Sequence, residues 1–145
     1  MLGNAEIPEN RFDYLILLSG IEPQRTILED ALMEVFKNSE KKIVLVRGTN
    51  NAKELSSKII RVIDIAFGDE LKEWIVNSET VICRSGYSTL MDLFLLNKKN
   101  IILVPTPGQS EQEYLAEYWK INFEAIVYEQ SSLVLNFKIH SPLVQ

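Results

Sequence analysis

The sequence is poor in the residues that build disulfides, zinc sites and acid–base machinery. Its 145 residues include one cysteine, Cys83, and one histidine, His140. A single cysteine excludes an internal disulfide and a cysteine-rich zinc site, and it favours a reducing compartment. Because no histidine lies near Cys83 in the sequence, this residue is better explained as a structural thiol than as a nucleophile.

Long apolar runs and basic clusters are also missing. No stretch approaches the ~18 apolar residues that cross a bilayer, and the first six residues have neither the basic nor the apolar part of an export signal. The net charge of -5 argues against a nucleic-acid ligand, because nucleic-acid-binding proteins concentrate Lys and Arg on one surface. We therefore expect a cytoplasmic protein that binds no nucleic acid.

What the sequence does contain is a repeated alternation of short apolar runs and helical patterns. The apolar runs are typical of strands buried on both faces, and they cover residues 14–18, 43–46, 59–65, 80–83, 101–104 and 125–128. Apolar residues at helical spacing predict helices over residues 26–38, 69–78, 86–96 and 111–119. In the first helix the pattern leaves Glu29, Asp30 and Glu34 for solvent.

Strands this apolar need helices on both faces of their sheet. The alternation therefore predicts a doubly wound α/β domain with a parallel sheet of about six strands. This domain would cover residues 13–130, after a polar leader at 1–12. The tail, residues 131–145, carries no turn or helix signal, so its structure stays open.

In a sheet of this kind, ligands bind outside the carboxyl ends of the strands. The loop after Cys83 reads Arg84-Ser85-Gly86, and Tyr87-Ser88-Thr89 then begins a helix. Free backbone N–H groups and the helix dipole at such a start favour an anion such as a phosphate. An ordinary N-capped turn with a glycine explains the same residues at least as well.

Two further features could bind the hydroxyl groups of a sugar. Asp92 lies three residues after Thr89, on about the same helix face, where a carboxylate can accept from two ribose hydroxyls. Gln112 and Glu113 follow the irregular loop that begins at Pro105, and they could bracket a hexose. The simpler readings are a solvated carboxylate at Asp92 and a capping box between Ser110 and Glu113.

The loop after the first strand has neither the G-x-G-x-x-G of a dinucleotide fold nor a P-loop. Arg25 and Arg47 could reach a diphosphate from this side. Exposed arginines are nevertheless more often solvated surface residues.

Residues 83–92, taken with residues 105–114, resemble the C-terminal domain of glycosyltransferase family 28, the donor-binding half of GT-B enzymes. The residues that carry the pattern are Arg84-Ser85-Gly86, Thr89, Asp92, Pro105 and Gln112. Phe67-Gly68 looks like the segment through which such enzymes read uracil. This chain departs from the family in having Asp92 where Glu is common, and in a first loop reduced to Gly20 with Glu22 nearby.

The resemblance implies an inverting glycosyltransferase with a UDP-sugar donor, UDP-HexNAc above all, and no metal or other cofactor. The implied donor-binding residues are Arg84, Ser85, Gly86, Tyr87, Ser88, Thr89, Asp92, Gln112, Glu113, Phe67 and Gly68. Possible contacts to the diphosphate are Ser19, Gly20 and Arg25. No catalytic residue is identified, since the family places the general base in the other domain.

The resemblance also implies a missing partner, either an N-terminal acceptor domain or a separate acceptor subunit, which could hold the chain at the inner face of the membrane. Residues 1–12 would then be a linker remnant, and the donor half alone would be inactive. The alternative is a non-catalytic α/β protein-interaction module on the same scaffold. A UDP-sugar epimerase would need catalytic carboxylates and a histidine that the sequence does not offer.

Overall fold

The computed structural model describes residues 11–51 and 61–140, with side chains up to residue 137. Its centre is a six-stranded sheet in which every neighbouring pair is parallel. The strands are β1 Phe12–Leu17, β2 Ile43–Val46, β3 Arg61–Ile63, β4 Ser78–Cys83, β5 Ile101–Leu103 and β6 Ile126–Val127. They lie in the order β3-β2-β1-β4-β5-β6, and the predicted fold class is confirmed.

In the described part of the chain, five helices cover the two faces of the sheet. They are α1 Gln24–Phe36, α2 Gly68–Val76, α3 Tyr87–Leu95, α4 Ser110–Phe123 and α5 Leu133–His140. Helices α2, α3 and α4 contribute buried side chains to one apolar cluster, whereas α1 and α5 contribute to the other. Because the strands alternate their side chains between these clusters, the sheet is buried on both faces, which is why its strands read as continuous apolar runs.

The sequence-based boundaries of the first and third strands need correction. Phe12 is buried and already belongs to β1, so the domain begins before residue 13. The third strand ends at Ile63 and not at residue 65; Ile59 and Ile60 lie outside the described residues, as does most of the leader. This strand is at the edge of the sheet, where Arg61 and Val62 are exposed.

The tail contains a helix that the sequence did not signal. After a 3-10 turn at Gln130–Ser132, α5 packs against α1. Phe137 is fully buried, and its ring centroid lies 5.8 Å from that of Phe36 and 5.1 Å from that of Tyr128. The chain at least as far as residue 137 is therefore part of the same core, and the last five residues lie outside the described part.

The winding of the chain reverses between β1 and β4. From β1 it moves outward to β2 and β3, and it then returns through α2 to β4 on the other side of β1. The loops after β1 and β4 consequently leave the same edge of the sheet in opposite directions. A crevice at such a topological switch point is where open α/β sheets bind their ligands.

Candidate functional site

The switch point brings the loop after β1 beside the loop after β4, because Leu17 pairs with Cys83 at the carboxyl ends of the two strands. Helices α2, α3 and α4 all begin at this edge and lie over the same face of the sheet. The segments Phe67-Gly68, Gly86 to Thr89 and Gln112-Glu113 therefore follow one another along a single edge. This is the arrangement that an extended ligand with several parts would require.

Arg84 joins three of the loops at this edge. Its Nη1 donates to the carbonyl oxygens of Val104 at 3.1 Å and Pro105 at 3.3 Å, and its Nη2 donates to that of Gln24 at 2.9 Å. The residue is only 2% exposed, and burial lowers the pKa of its guanidinium to about 10, so that it remains charged at neutral pH. Among the described residues no carboxylate forms an ion pair with Arg84.

Ser85 and Gln112 hold the loop after β5 in place. The Ser85 hydroxyl donates to the backbone oxygen of Gln112 at 2.7 Å. The Gln112 side chain accepts from the Thr106 backbone N–H at 2.8 Å and donates to the side chain of Gln109 at 3.0 Å. Ser85 is completely buried, so its hydroxyl holds the loop in place without contacting solvent. Gln112 is partly exposed and keeps one amide hydrogen free for a ligand.

The start of α3 offers backbone donors to solvent. Gly86 is the N-cap in an extended conformation, and no side chain in the described ranges caps the helix. The N–H groups of Tyr87, Ser88 and Thr89 precede the first helical hydrogen bond, which Leu90 donates to Gly86. Tyr87 and Ser88 are exposed, so this helix start can accept an anion from the crevice.

Asp92 and Phe67 lie on the same side of the edge. Asp92 is partly buried one turn into α3, and within the described residues its carboxylate has no hydrogen-bond or ion-pair partner. Phe67 is the extended N-cap of α2 and is 77% exposed, and Gly68 follows it with a φ of 65°. An aromatic ring this exposed is available to a flat ligand.

The start of α4 differs from its prediction. The helix begins at Ser110 with Gln109 as N-cap and has no side-chain cap hydrogen bond, so the proposed Ser110–Glu113 capping box is wrong. Glu113 instead lines a cavity of about 360 Å³ between the start of α4 and the end of β6. Glu117 and Glu129 line it too, and the cavity is therefore strongly acidic.

The loop after β1 contains a charge network that the sequence analysis missed. Glu29, which the helical pattern left for solvent, is completely buried and accepts from Arg25 Nη1 at 2.8 Å and from Arg47 Nε at 3.1 Å. Arg25 also bonds Glu22, Thr26 and the Arg47 carbonyl oxygen. The i,i+4 spacing of Arg25 and Glu29 was the available signal. Ser19 and Gly20 are exposed beside this network, whereas the Arg25 side chain is committed to it.

The thiol of Cys83 is not activated in the described structure. Burial raises the pKa of the Cys83 thiol to about 12, which is consistent with a structural role. Among the side chains that the structure describes, in residues 11–51 and 61–137, no group of three or more His, Cys, Asp and Glu could hold a metal ion. The side chain of His140 lies outside the described part, and none of the described helices is long and apolar enough to cross a membrane.

Comparison with solved structures places this fold among the GT-B glycosyltransferases. MurG of Acinetobacter baumannii aligns with a TM-score of 0.64 and 17% identity, over 91% of this chain and 42% of that one. SnogD of Streptomyces nogalater gives 0.61 and 16%, over 94% and 37%. VinC, solved in complex with dTDP, gives 0.62 and 16%, over 97% and 36%. The chain thus spans about two fifths of the length of these proteins.

Sequence comparison identifies the family directly. No curated protein matches the chain, but the family model for the glycosyltransferase family 28 C-terminal domain matches residues 16–141. This match includes residues 83–92 and 105–114, and it confirms their resemblance to the family. The chain belongs to the family of glycosyltransferase family 28 C-terminal domains.

Proposed function

We propose that this domain binds the nucleotide-sugar donor of an inverting GT-B glycosyltransferase, with UDP-HexNAc as the donor. The observation that carries the proposal is Arg84, a buried cation without a carboxylate partner among the described residues, lying directly before the uncapped start of α3. Its positive charge and the free N–H groups of α3 would both favour an anion at this edge of the sheet. A diphosphate carries the complementary charge.

The other parts of the donor follow from the order of the helix starts. Asp92, one turn inside α3, would accept from the two ribose hydroxyls, and Phe67 with Gly68 at the start of α2 would contact the base. Gln112 and Glu113 at the start of α4 would bind the hexose. In this proposal the base, ribose, diphosphate and sugar would lie along α2, α3 and α4, whose starts follow one another along the sheet edge.

In the reaction itself, this half would stabilise the leaving group. Negative charge develops on the departing diphosphate as the sugar is transferred, and preorganised N–H groups with a nearby cation stabilise that charge without a metal ion. Hexosyl or N-acetylhexosaminyl transfer would also need an acceptor domain or subunit, because the general base and acceptor site are expected there. We expect the isolated domain to bind donor without turnover, in the cytoplasm or at the inner face of a membrane that its partner contacts.

The first test is donor binding by the wild-type domain and by Asp92→Asn. Loss of a charged hydrogen-bond acceptor should weaken UDP binding about ten- to a hundredfold in isothermal titration calorimetry. Glu79→Gln is the matched control, because it removes one negative charge from an exposed residue of β4 near the opposite edge of the sheet. It should leave UDP affinity unchanged.

Hydrogen exchange locates the ligand in the same samples. UDP or UDP-GlcNAc should slow exchange in residues 84–92 of the wild type, and less so in Asp92→Asn. Absence of saturable binding by the wild type, together with unchanged exchange in this segment, would refute the proposed function.

A second candidate function, that of a protein-interaction module, is favoured by an apolar groove between α3 and α4. The groove has a volume of about 230 Å³, and Tyr87, Met91 and Phe94 of α3 face Tyr118 and Phe123 of α4. All five of these side chains are exposed. Aromatic residues and methionine are enriched in protein interfaces. In this alternative the groove would bind an acceptor domain, and no nucleotide would take part.

Phe94→Glu tests this second function, and Leu135→Glu is its control on the exposed side of α5. The partner for this test would be a GT-B acceptor domain, whether it belongs to the same polypeptide or to a separate subunit. If the module acts by docking alone, Phe94→Glu should weaken the heterodimer at least about tenfold in sedimentation, the control should not, and UDP should change nothing. UDP binding that survives Phe94→Glu instead supports the donor-binding function.

A further inference from the structure

The start of α1 is the second helix start at the switch point, and it is already occupied by a carboxylate of the protein. Glu22 Oε1 accepts from the backbone N–H of Thr26 at 3.1 Å, and Glu22 Oε2 accepts from Arg25 Nε at 2.8 Å. Thr26 is the third residue of α1, and its N–H is one of those that a helix leaves free for an anion. The Glu22 carboxylate thus sits where a phosphate would bind.

The charges around Arg25 are balanced without any ligand. Arg25 and Arg47 supply two positive charges, and Glu29 and Glu22 supply two negative ones. Arg25 is 3% exposed, and its remaining donors reach Thr26 Oγ1 and the Arg47 carbonyl oxygen. Arg84 donates to the carbonyl oxygen of Gln24 in the first turn of α1 and has only carbonyl oxygens as partners among the described residues. The charge of Arg25 is thus neutralised by carboxylates of the protein, whereas the charge of Arg84 is not.

The Glu22 carboxylate stays ionised at the start of α1 over the physiological pH range. Hydrogen bonds from Thr26 and Arg25 lower the pKa of Glu22 to about 2. The carboxylate is therefore ionised throughout neutral and mildly acidic conditions, and its negative charge repels a second anion at the start of α1.

We propose that Glu22 is a built-in counterion that closes the start of α1 to phosphate groups and thereby directs the donor diphosphate to the start of α3. The inference rests on the proposed function for the location of the diphosphate. Glu22 acts here as a positioning residue, since it makes no contact with the ligand itself. This role explains why the acidic residue Glu22 lies in a loop beside the proposed site for the donor diphosphate.

The proposal predicts a gain of binding, which damage to the fold would not produce. Inorganic pyrophosphate is the probe, because it has neither base nor sugar. In Glu22→Gln and Glu22→Ala, pyrophosphate should bind about tenfold more tightly than in the wild type, because both substitutions remove the charge that repels the anion. Glu22→Ala also frees Arg25 Nε and the Thr26 N–H, whereas Gln keeps an oxygen that can accept from them. Nitrogen-15 NMR should show the new shifts at the amides of Arg25 and Thr26.

Glu34→Gln controls for net charge, because it removes the same charge from an exposed residue in the last turns of α1. It should bind pyrophosphate as the wild type does. An equal gain in Glu34→Gln, or no gain and no shift at Thr26 in both Glu22 variants, would overturn the inference. The proposed function is judged separately by UDP-induced shifts in residues 84–92 of the wild type, so the two can fail independently.

Discussion

Replacement of Arg84 by Met should cost the domain both donor affinity and stability. The side chain binds the carbonyl oxygens of Gln24, Val104 and Pro105, and Met fills similar volume without replacing these donors. Buried acceptors left without partners should lower the free energy of unfolding by about 1–3 kcal/mol. Loss of the charge and of the loop geometry should weaken UDP binding roughly ten- to a hundredfold in calorimetry.

Arg84→Lys separates the charge from the geometry. Lysine keeps the positive charge but cannot reach three carbonyl oxygens with a planar fork. It should therefore lose stability much as Arg84→Met does, yet retain more of the UDP affinity. Lys120→Met, which removes an exposed charge near the end of α4, should affect neither measurement. UDP affinity equal to wild type in Arg84→Met would exclude Arg84 from the donor site.

The largest loss of stability should come from Gly48→Ala. Gly48 has a φ of 73°, and a Cβ there would overlap with the carbonyl oxygen of Leu18 and lie 3.1 Å from its carbon. Both obstacles are backbone atoms at the end of β1 and cannot rotate away. We expect the free energy of unfolding in urea to fall by about 3 kcal/mol or more, because steric overlap adds to the left-handed penalty.

Gly108→Ala isolates the conformational part of that loss. Gly108 has a φ of 83°, but a Cβ there meets no atom within 4 Å. Its substitution should cost only about 1 kcal/mol. Equal losses in the two variants would show that the close approach of Gly48 to the end of β1 contributes nothing.

Much of the fold could be predicted because the information is local. The helix expected over residues 86–96 is Tyr87–Leu95, and the strand expected over 43–46 is Ile43–Val46. Apolar periodicity depends only on neighbours along the chain, so it can be recognised without knowledge of the tertiary structure. The exceptions lie where that signal was weak, as at the edge strand Arg61–Ile63 and at α5.

The parts of the site that could not be predicted depend on distant residues. Glu29 was assigned to solvent because periodicity places an acidic residue on the polar face, but Arg25 and Arg47 converge on it inside the protein. Ser110 and Glu113 have the spacing of a capping box, yet α4 begins at Ser110, so Ser110 is not the N-cap. In each case a partner or a boundary set by the fold overrode the local rule.

The sequence by itself determined the alternating strands and helices, the parallel sheet and the family pattern from Arg84 to Gln112, because hydrophobic periodicity and motif spacing are properties of the chain. Only the tertiary structure decided what the charged residues do. It buries Arg84 with no carboxylate within ion-pair distance among the described residues, and it surrounds Arg25 with Glu22 and Glu29. The physical reason is that the free energy of a charge depends on its burial and on partners that chain folding brings from elsewhere.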